Sequence, residues 1–502
     1  MTRLVLVILG LLFLAWVPLQ RSEQAISVGS KKFTESVILG EVVTQLTEHA
    51  GQPAKHFREL GGTTLLFNAL QSGEISVYPE YTGTIQQELF AGRQLSWPAI
   101  REQLQAEGIV VSPPLGFNNT YALGMLRSRA EALGITKVSD LSNHPGLRFA
   151  FGSEFLERAD GWRGLQATYR LPQSSVKGMD HDLAYRQLEL GSADVIDVYT
   201  TDAKIDRYDI AVLEDDRSYF PRYDAVLLYR EELANNYPTV VEQILRLADS
   251  INAKQMTKMN AAVELEGESE AKVASDFLRT TMDVTVEVVV ETRWQRIGRA
   301  TAEHFNLVRR SLVPAILLAV PLGVIAFKLP RVGQIVLAVV GIVQTIPSLA
   351  LLVMLMPLVA WLGMASVGVG SSTAVAALLL YSLLPIVRST HAGLEGIEAG
   401  YMETARAIGL PAKARLLRIE LPLATGSILA GIKTATVLNI GFATLGALVG
   451  AGGYGQPIIS GIRLNNTGLI LEGAIPAALM AVVAQGAFEV FGYARQSFRG
   501  TV

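Results

Sequence analysis

Apolar and polar positions follow two different rules along the chain. From residue 25 onward, short β-rich runs alternate with amphipathic stretches of helical period, at 26–28, 34–49, 57–60, 63–71 and 75–78. Strand and helix in alternation predict α/β architecture with parallel sheet. Further strands are expected at 121–126, 147–151, 194–199, 210–213 and 225–229. A stretch of this length exceeds one small core, so two lobes with a cleft between them are expected. No low-complexity linker separates them, which places the hinge in short crossovers near 113–118 and 209–213.

After residue 300 the pattern changes to long apolar runs, at 307–327, 332–362, 373–387, 423–449 and 469–491. Each is near the roughly 20 residues that a spanning helix needs, so about five transmembrane helices are expected, the third short and the second bent or broken around Pro347. A further apolar run, 4–19, lies between Arg3 and Arg21 without an A-x-A-like cleavage site. It reads as an N-terminal membrane anchor or signal segment, the uncleaved anchor being favoured, and either way the following domain is exported. With that domain outside, Lys328, Arg331, Arg388, Arg406, Lys413, Arg415, Arg418, Arg495 and Arg499 fall inside, as the cytoplasmic bias of Lys and Arg requires. Arg309, Arg310 and Arg463 dissent, the first two being ascribed to an amphipathic interfacial helix over 291–305. The expected divisions are therefore 1–24, an extracytoplasmic domain at 25–290, an amphipathic linker at 291–306 and a membrane domain at 307–502.

Charge sharpens that division. Residues 1–300 carry 30 Lys and Arg against 39 Asp and Glu, whereas 301–502 carry 13 against 7, so the overall net charge of −3 is a cancellation. Half the residues are apolar and mean hydropathy is +0.32, which excludes a disordered or fibrous chain. With no Cys there is no disulfide, thiolate nucleophile or Cys-based metal site. No basic domain supports a nucleic-acid partner.

Aromatic residues carry the first functional signal. Of 15 Tyr, 11 precede residue 300, and Tyr78, Tyr81, Tyr121, Tyr199 and Tyr223 sit at predicted strand ends beside Gly, Pro, Thr or Asp. Half-buried packing explains any one of them. Together, at the strand ends where α/β sheets bind ligands, they point to a site.

GSKKFTES at 29–36, YPEYTGT at 78–84, FNNTYAL at 117–123, EFLERADGWRGL at 154–165 and DVIDVYTTDAKI at 194–205 resemble the binding proteins of osmoprotectant ABC importers for glycine betaine, carnitine or choline. The resemblance implies a two-lobed, type II-like periplasmic-binding-protein fold fused to an all-α importer domain. It also implies a cage of Tyr81, Tyr121, Tyr199 and Tyr223 around a trimethylammonium group, with Asn119 beside it and Lys31, Thr84 and Arg158 on the carboxylate. Physical chemistry agrees with such a site. A quaternary ammonium has no hydrogen to donate, so ring faces must recognise it, at about 0.5 to 2 kcal/mol per contact. An ammonium and a guanidinium at the other end favour a betaine over choline, which would leave those charges unpaired.

The loop at 395–422 contains Glu403-Thr404-Ala405, then Gly409, then Ile419, Leu421 and Pro422. This resembles the EAA signature of ABC importer permeases, with Thr404 replacing one Ala. The resemblance implies a docking site for an ATPase built on Glu403, Ala405, Gly409, Leu421 and Pro422, with Gly409 allowing a sharp turn. The segments 344–352, 446–458 and 473–479 are similar to permeases of the same family, and their small residues suit close helix approach. Lys433 and Glu472, near span ends, read as snorkelling residues.

No G-x4-G-K-[ST] loop occurs; the glycine-rich stretch 367–373 lacks Lys. ATP and Mg therefore belong to a partner, and no cofactor is expected here. Asp180-His181-Asp182 reads as a helix cap and solvated turn, not a metal site. No nucleophile-base pair is present. The expectation is a fused binding and permease subunit of an importer for a zwitterionic quaternary ammonium compound, not an enzyme, working as a homodimer with two ATPase subunits in the inner membrane. Choline, carnitine and ergothioneine remain alternative ligands. A ligand-gated channel would need no docking loop, and a membrane enzyme would need a catalytic constellation.

Overall fold

The computed structural model describes residues 25–93, 95–158, 160–286, 291–361, 371–464 and 466–499, with side chains except at Val353, 356–361 and 491–499. The N-terminal apolar run 4–19 and residues 363–370 of the outer turn expected at 363–372 lie outside the described residues, as do the side chains of Arg495 and Arg499. The chain divides into two compact units between Val290 and Glu291.

The first unit contains two five-stranded sheets. One is built from β1 (Ile26–Gly29), β2 (Ala54–Phe57), β3 (Val77–Tyr81), β4 (Ile109–Val111) and β10 (Ala225–Arg230), in the order β2-β1-β3-β10-β4. The other is built from β5 (Tyr121–Leu126), β6 (Phe149–Gly152), β7 (Val176–Met179), β8 (Val195–Tyr199) and β9 (Ile210–Leu213), in the order β7-β6-β8-β5-β9. This is the two-lobed α/β architecture that the resemblance implies. Both sheets are mixed: β1 pairs parallel with β2 and β3, while β10 runs antiparallel to β3 and β4. In the second lobe β6 is parallel to β7 and β8, and β5 is antiparallel to β8 and β9.

The lobes are joined by two crossings, 112–120 and 214–224, which meet in an antiparallel bridge between Asn118 and Asp224. The first crossing matches the expected hinge. The second does not: 209–213 is not a hinge, because 210–213 is β9, whose β-branched run completes the second sheet by pairing with β5. The strand expected at 57–60 is also displaced, to Ala54–Phe57, with Leu60 buried after it.

The helix Thr34–His49 is buried all round from Thr34 to Thr47, because the helices Ala253–Glu264 and Glu270–Met282 pack on the side that the sheet leaves open. Its N-terminus, with Glu35 in the first turn, follows directly from β1. A carboxylate there is favoured by the helix dipole.

The second unit is helical. Among the described residues four helices are long and apolar enough to cross a membrane: Arg293–Lys328, Ser371–Glu395, Ala412–Val449 and Thr467–Val490. The second apolar run forms two shorter helices, Pro330–Thr345 and Ser348–Trp361. Between them Ile346 is extended before Pro347, as the proline ring requires. The Tyr381 hydroxyl donates to the Ile346 carbonyl, so the break does not leave that acceptor unpaired.

The expected linker at 291–306 is not a separate element but the start of the 36-residue helix Arg293–Lys328. A capping box of Thr292 and Gln295 opens it, and no proline interrupts it before Pro314. Glu472, expected to snorkel, instead pairs with Arg293 and Arg296 of this helix, and Lys433 pairs with Glu489 at 2.8 Å. Inside the bundle, Asn439 joins Ser311 and Ser382 at 3.0 and 2.8 Å, tying three helices by buried hydrogen bonds.

Candidate functional site

The ends of β3, β5, β8 and β10 converge where the two lobes meet, and each brings an aromatic ring. Tyr81 ends β3 opposite Ala225, which opens β10 two residues after Tyr223. Tyr121 opens β5 and lies directly opposite Tyr199 at the end of β8. The Tyr121 and Tyr199 ring centroids are 5.1 Å apart, and Tyr223 meets Tyr121 edge-on at 5.8 Å. Phe33, from the loop before the first helix, lies 5.9 Å from Tyr199 and 6.0 Å from Tyr81. Phe33 thus links the first-lobe tyrosine to the other three. Phe155 and Phe220 back Tyr121 at 5.1 and 6.3 Å.

Tyr223 reaches this position because Gly83 has no side chain: a Cβ there would lie 2.6 Å from the Tyr223 ring. Burial drives the phenols of Tyr81 and Tyr199 well above their usual pKa, and that of Tyr223 up as well, so the rings stay protonated and neutral.

Two of the site phenols, Tyr81 and Tyr223, are each held by a carboxylate. Tyr81 donates to Glu35 at 2.6 Å, and Tyr223 donates to Asp160. Asn119 donates to Glu35 at 2.9 Å. Thr84 is buried in the turn after Tyr81.

Lys31 and Arg158 both border the rings. The Lys31 ammonium lies 5.7 Å from the Tyr81 centroid, and the Arg158 guanidinium 5.4 Å from that of Tyr121. Both already face protein carboxylates. Lys31 donates to Glu80 at 2.5 Å and to Thr63 at 3.0 Å. Asp160 takes two Arg158 N–H groups, at 2.8 and 2.6 Å, and Glu88 lies 3.0 Å from its Nη1. Burial works against the Arg158 charge, but Tyr121, Asp160 and Glu88 outweigh it and keep the group cationic. For Glu80, burial wins over Lys31 and raises the carboxyl above its usual range. A cavity of about 330 Å³ opens beside Arg158, between Thr63 and Thr64 of one lobe and Glu154 and Glu157 of the other.

Beneath Tyr199 lies His181, 4.4 Å from its ring and bonded to Asp197 at 3.0 Å and Asp202 at 3.1 Å. Burial lowers its pKa, but the two aspartates outweigh burial and hold it well above the usual value. Asp180 accepts from the Asp182 backbone N–H and caps the helix His181–Glu189.

Sequence reasoning missed Phe33, Glu35, Asp160 and His181 as neighbours of the rings. Phe33 and Glu35 lie inside the quoted motif at 29–36, and Asp160 inside that at 154–165, so the signal was present without a reason to select them.

In the helical unit, the helix Ala399–Ala407 carries exposed Glu403 and buried Ala405. Gly409 follows at φ +75°, a left-handed conformation that suits glycine, and turns the chain toward Ala412–Arg415. Leu421 and Pro422 open the helix Leu421–Ala443. Tyr401, Ile408 and Leu417 are exposed on the same loop. Between loop and helix, buried Glu420 pairs with Lys328 and, at 3.2 Å, with Arg415.

Residues 24–280 match the family described as the substrate binding domain of ABC-type glycine betaine transport systems. Residues 315–491 match the binding-protein-dependent transport system inner membrane component. The chain is 35% identical over 263 residues to the ergothioneine transport permease/ergothioneine binding protein EgtU of Helicobacter pylori, covering 51% of this chain and 47% of that protein. The match therefore spans about half of that relative's length. It is 42% identical over 182 residues to the glycine betaine/carnitine/choline transport system permease protein OpuCD of Bacillus subtilis, covering 36% of this chain and 76% of that one. It is 33% identical over 275 residues to a glycine-betaine-binding protein of Pseudomonas aeruginosa, covering 51% and 88%. A solved structure of a glycine betaine/carnitine/choline ABC transporter is 28% identical, covers 51% of this chain and 97% of that one, and superposes with a TM-score of 0.44.

Proposed function

The chain belongs to the family of ABC-type glycine betaine transport systems, with a substrate-binding domain followed by an inner-membrane permease domain, and we propose that it imports a quaternary ammonium osmoprotectant. The observation that carries this reading is the run of five rings, Tyr81, Phe33, Tyr199, Tyr121 and Tyr223, with neighbouring centroids 5.1 to 6.0 Å apart at the meeting of two lobes. Such an arrangement recognises a fully alkylated cation by its charge and shape without needing a hydrogen to accept.

Ligand draws the lobes together, and the loaded domain delivers to the helical unit of its own chain, so capture and transfer are intramolecular. A separate ATPase docks on the loop carrying Glu403, Ala405, Gly409, Leu421 and Pro422, where exposed Tyr401, Ile408 and Leu417 supply apolar contact. Two copies of the chain with two ATPase subunits enclose the path.

A betaine is the favoured ligand: its carboxylate would lie in the cavity beside Arg158, whose guanidinium has five N–H groups, gives two to Asp160 and faces Glu88 with Nη1, leaving the remaining N–H groups for the ligand. A second reading, a ligand without a carboxylate such as choline, is favoured by the protein counter-charges already on Lys31 and Arg158. Calorimetry of the full chain in lipid nanodiscs against glycine betaine, carnitine, choline and ergothioneine tests both. Binding of at least one is expected; heat from none of them ends the reading, and the rank order decides between its two forms.

A further inference from the structure

We propose that Glu35 is the fixed negative charge that makes the enclosure selective for a cation and couples that selection to closure of the lobes. The proposal rests on the reading of the rings as a quaternary ammonium site.

Glu35 is 2% exposed and accepts from four donors. Its Oε1 takes Tyr81 Oη at 2.6 Å and Asn119 Nδ2 at 2.9 Å; its Oε2 takes Thr201 Oγ1 at 2.5 Å and Asn260 Nδ2 at 3.2 Å. An ionised carboxylate is acceptor only, with about four lone-pair sites, and these four donors fill them. Four incoming bonds suit the charged form: the Asn119 and Asn260 amide nitrogens can only donate, and a carboxylic hydrogen would be accommodated only if the Tyr81 or Thr201 hydroxyl turned its own hydrogen away from Glu35. Yet all four partners are neutral. They satisfy its hydrogen bonds but bring no full positive charge, and burial outweighs them and raises the carboxyl above its usual range, so apart from the partial charge of the helix N-terminus nothing here balances an ionised Glu35. The nearest ring-side cation, Lys31, is committed to Glu80. A cation among the rings, one hydrogen bond away through Tyr81, supplies the missing charge.

The donors come from different parts of the fold. Tyr81 and Asn260 belong to the first lobe with Glu35, Asn119 lies on a crossing, and Thr201 follows β8 in the second lobe. Asn260 also donates to the Thr201 carbonyl at 3.0 Å. The shell is therefore complete only when the lobes meet, and meeting removes a carboxylate from water. That step is unfavourable for an empty enclosure and favourable for one holding a cation. Charge selection and closure are the same event.

The test compares ligands with isosteres in which carbon replaces the quaternary nitrogen: choline with 3,3-dimethylbutan-1-ol, and glycine betaine with 3,3-dimethylbutanoate. Affinities are measured on the full chain in nanodiscs. Glu35→Gln keeps the size and loses the charge, and should weaken the quaternary ligand about tenfold while changing its isostere less than twofold. Equal loss for both ligands, or no loss, overturns the proposal by reducing Glu35 to a packing residue. Should the wild-type chain bind no quaternary ligand at all, the enclosure reading falls and the proposal with it. Thr201→Val retains the charge and removes only the second-lobe donor. It should preserve the cation preference and speed ligand release at least fivefold in stopped-flow; unchanged release overturns the link to closure.

Discussion

Tyr199 has two further ring neighbours besides Tyr121: Phe33, 5.9 Å away and nearly parallel, and His181, held cationic by two aspartates, 4.4 Å away. Removing the ring in Tyr199→Ala should weaken trimethylammonium ligands at least tenfold by calorimetry, while Tyr199→Phe, which keeps the face, should stay within about threefold. Arg158→Ala separates the two ligand forms. It removes a guanidinium that could meet a carboxylate but also unpairs Asp160 and Glu88, so a betaine should lose at least tenfold while choline keeps or gains affinity. The tyrosines were legible because each sits in a short motif of turn residues. Their carboxylate holders were not, because Glu35 lies 46 positions from Tyr81 and Asp160 lies 63 from Tyr223. Only the fold brings such partners together.

Elements with strong local patterns were read to the residue, as in Thr34–His49, Thr63–Gln71 and Tyr121–Leu126. Two strands escaped: β4 is three residues long, and β7, Val-Lys-Gly-Met, is a half-exposed edge strand with no apolar alternation. The second hinge was misplaced because 210–213, rightly expected as a strand, was also given the hinge, whereas the crossing begins only after β9 ends at Leu213. The loop proposed for ATPase docking, by contrast, is a local feature set by one backbone conformation. Gly409→Val places a β-branched side chain at φ +75°. With the ATPase present, ligand-stimulated ATP hydrolysis should fall at least tenfold while calorimetric ligand affinity stays unchanged.

For the whole molecule, the contrast between an acidic, mixed-pattern half and an apolar half foreshadowed two units, and the chain divides between Val290 and Glu291. The first unit also carries an acid-sensitive clasp. Glu41 is buried, which raises its pKa, but Arg58 and His56 outweigh burial and hold it at about 2, against an ordinary 4.5. A folded value below the unfolded one gives stability that is present above pH 4.5 and lost as pH falls toward 2, about 3 kcal/mol in all. Fluorescence-monitored acid unfolding of the binding domain within the full chain should therefore steepen over that window, and Glu41→Gln should flatten it.

The pairing of Glu420 with both Lys328 and Arg415 has a mechanical consequence. It rivets the root of the loop at 395–422 to the end of the helix Arg293–Lys328. If an ATPase docks on this loop as proposed, a push delivered at Gly409 would meet a stiff lever and pass to that helix instead of being absorbed by a slack joint.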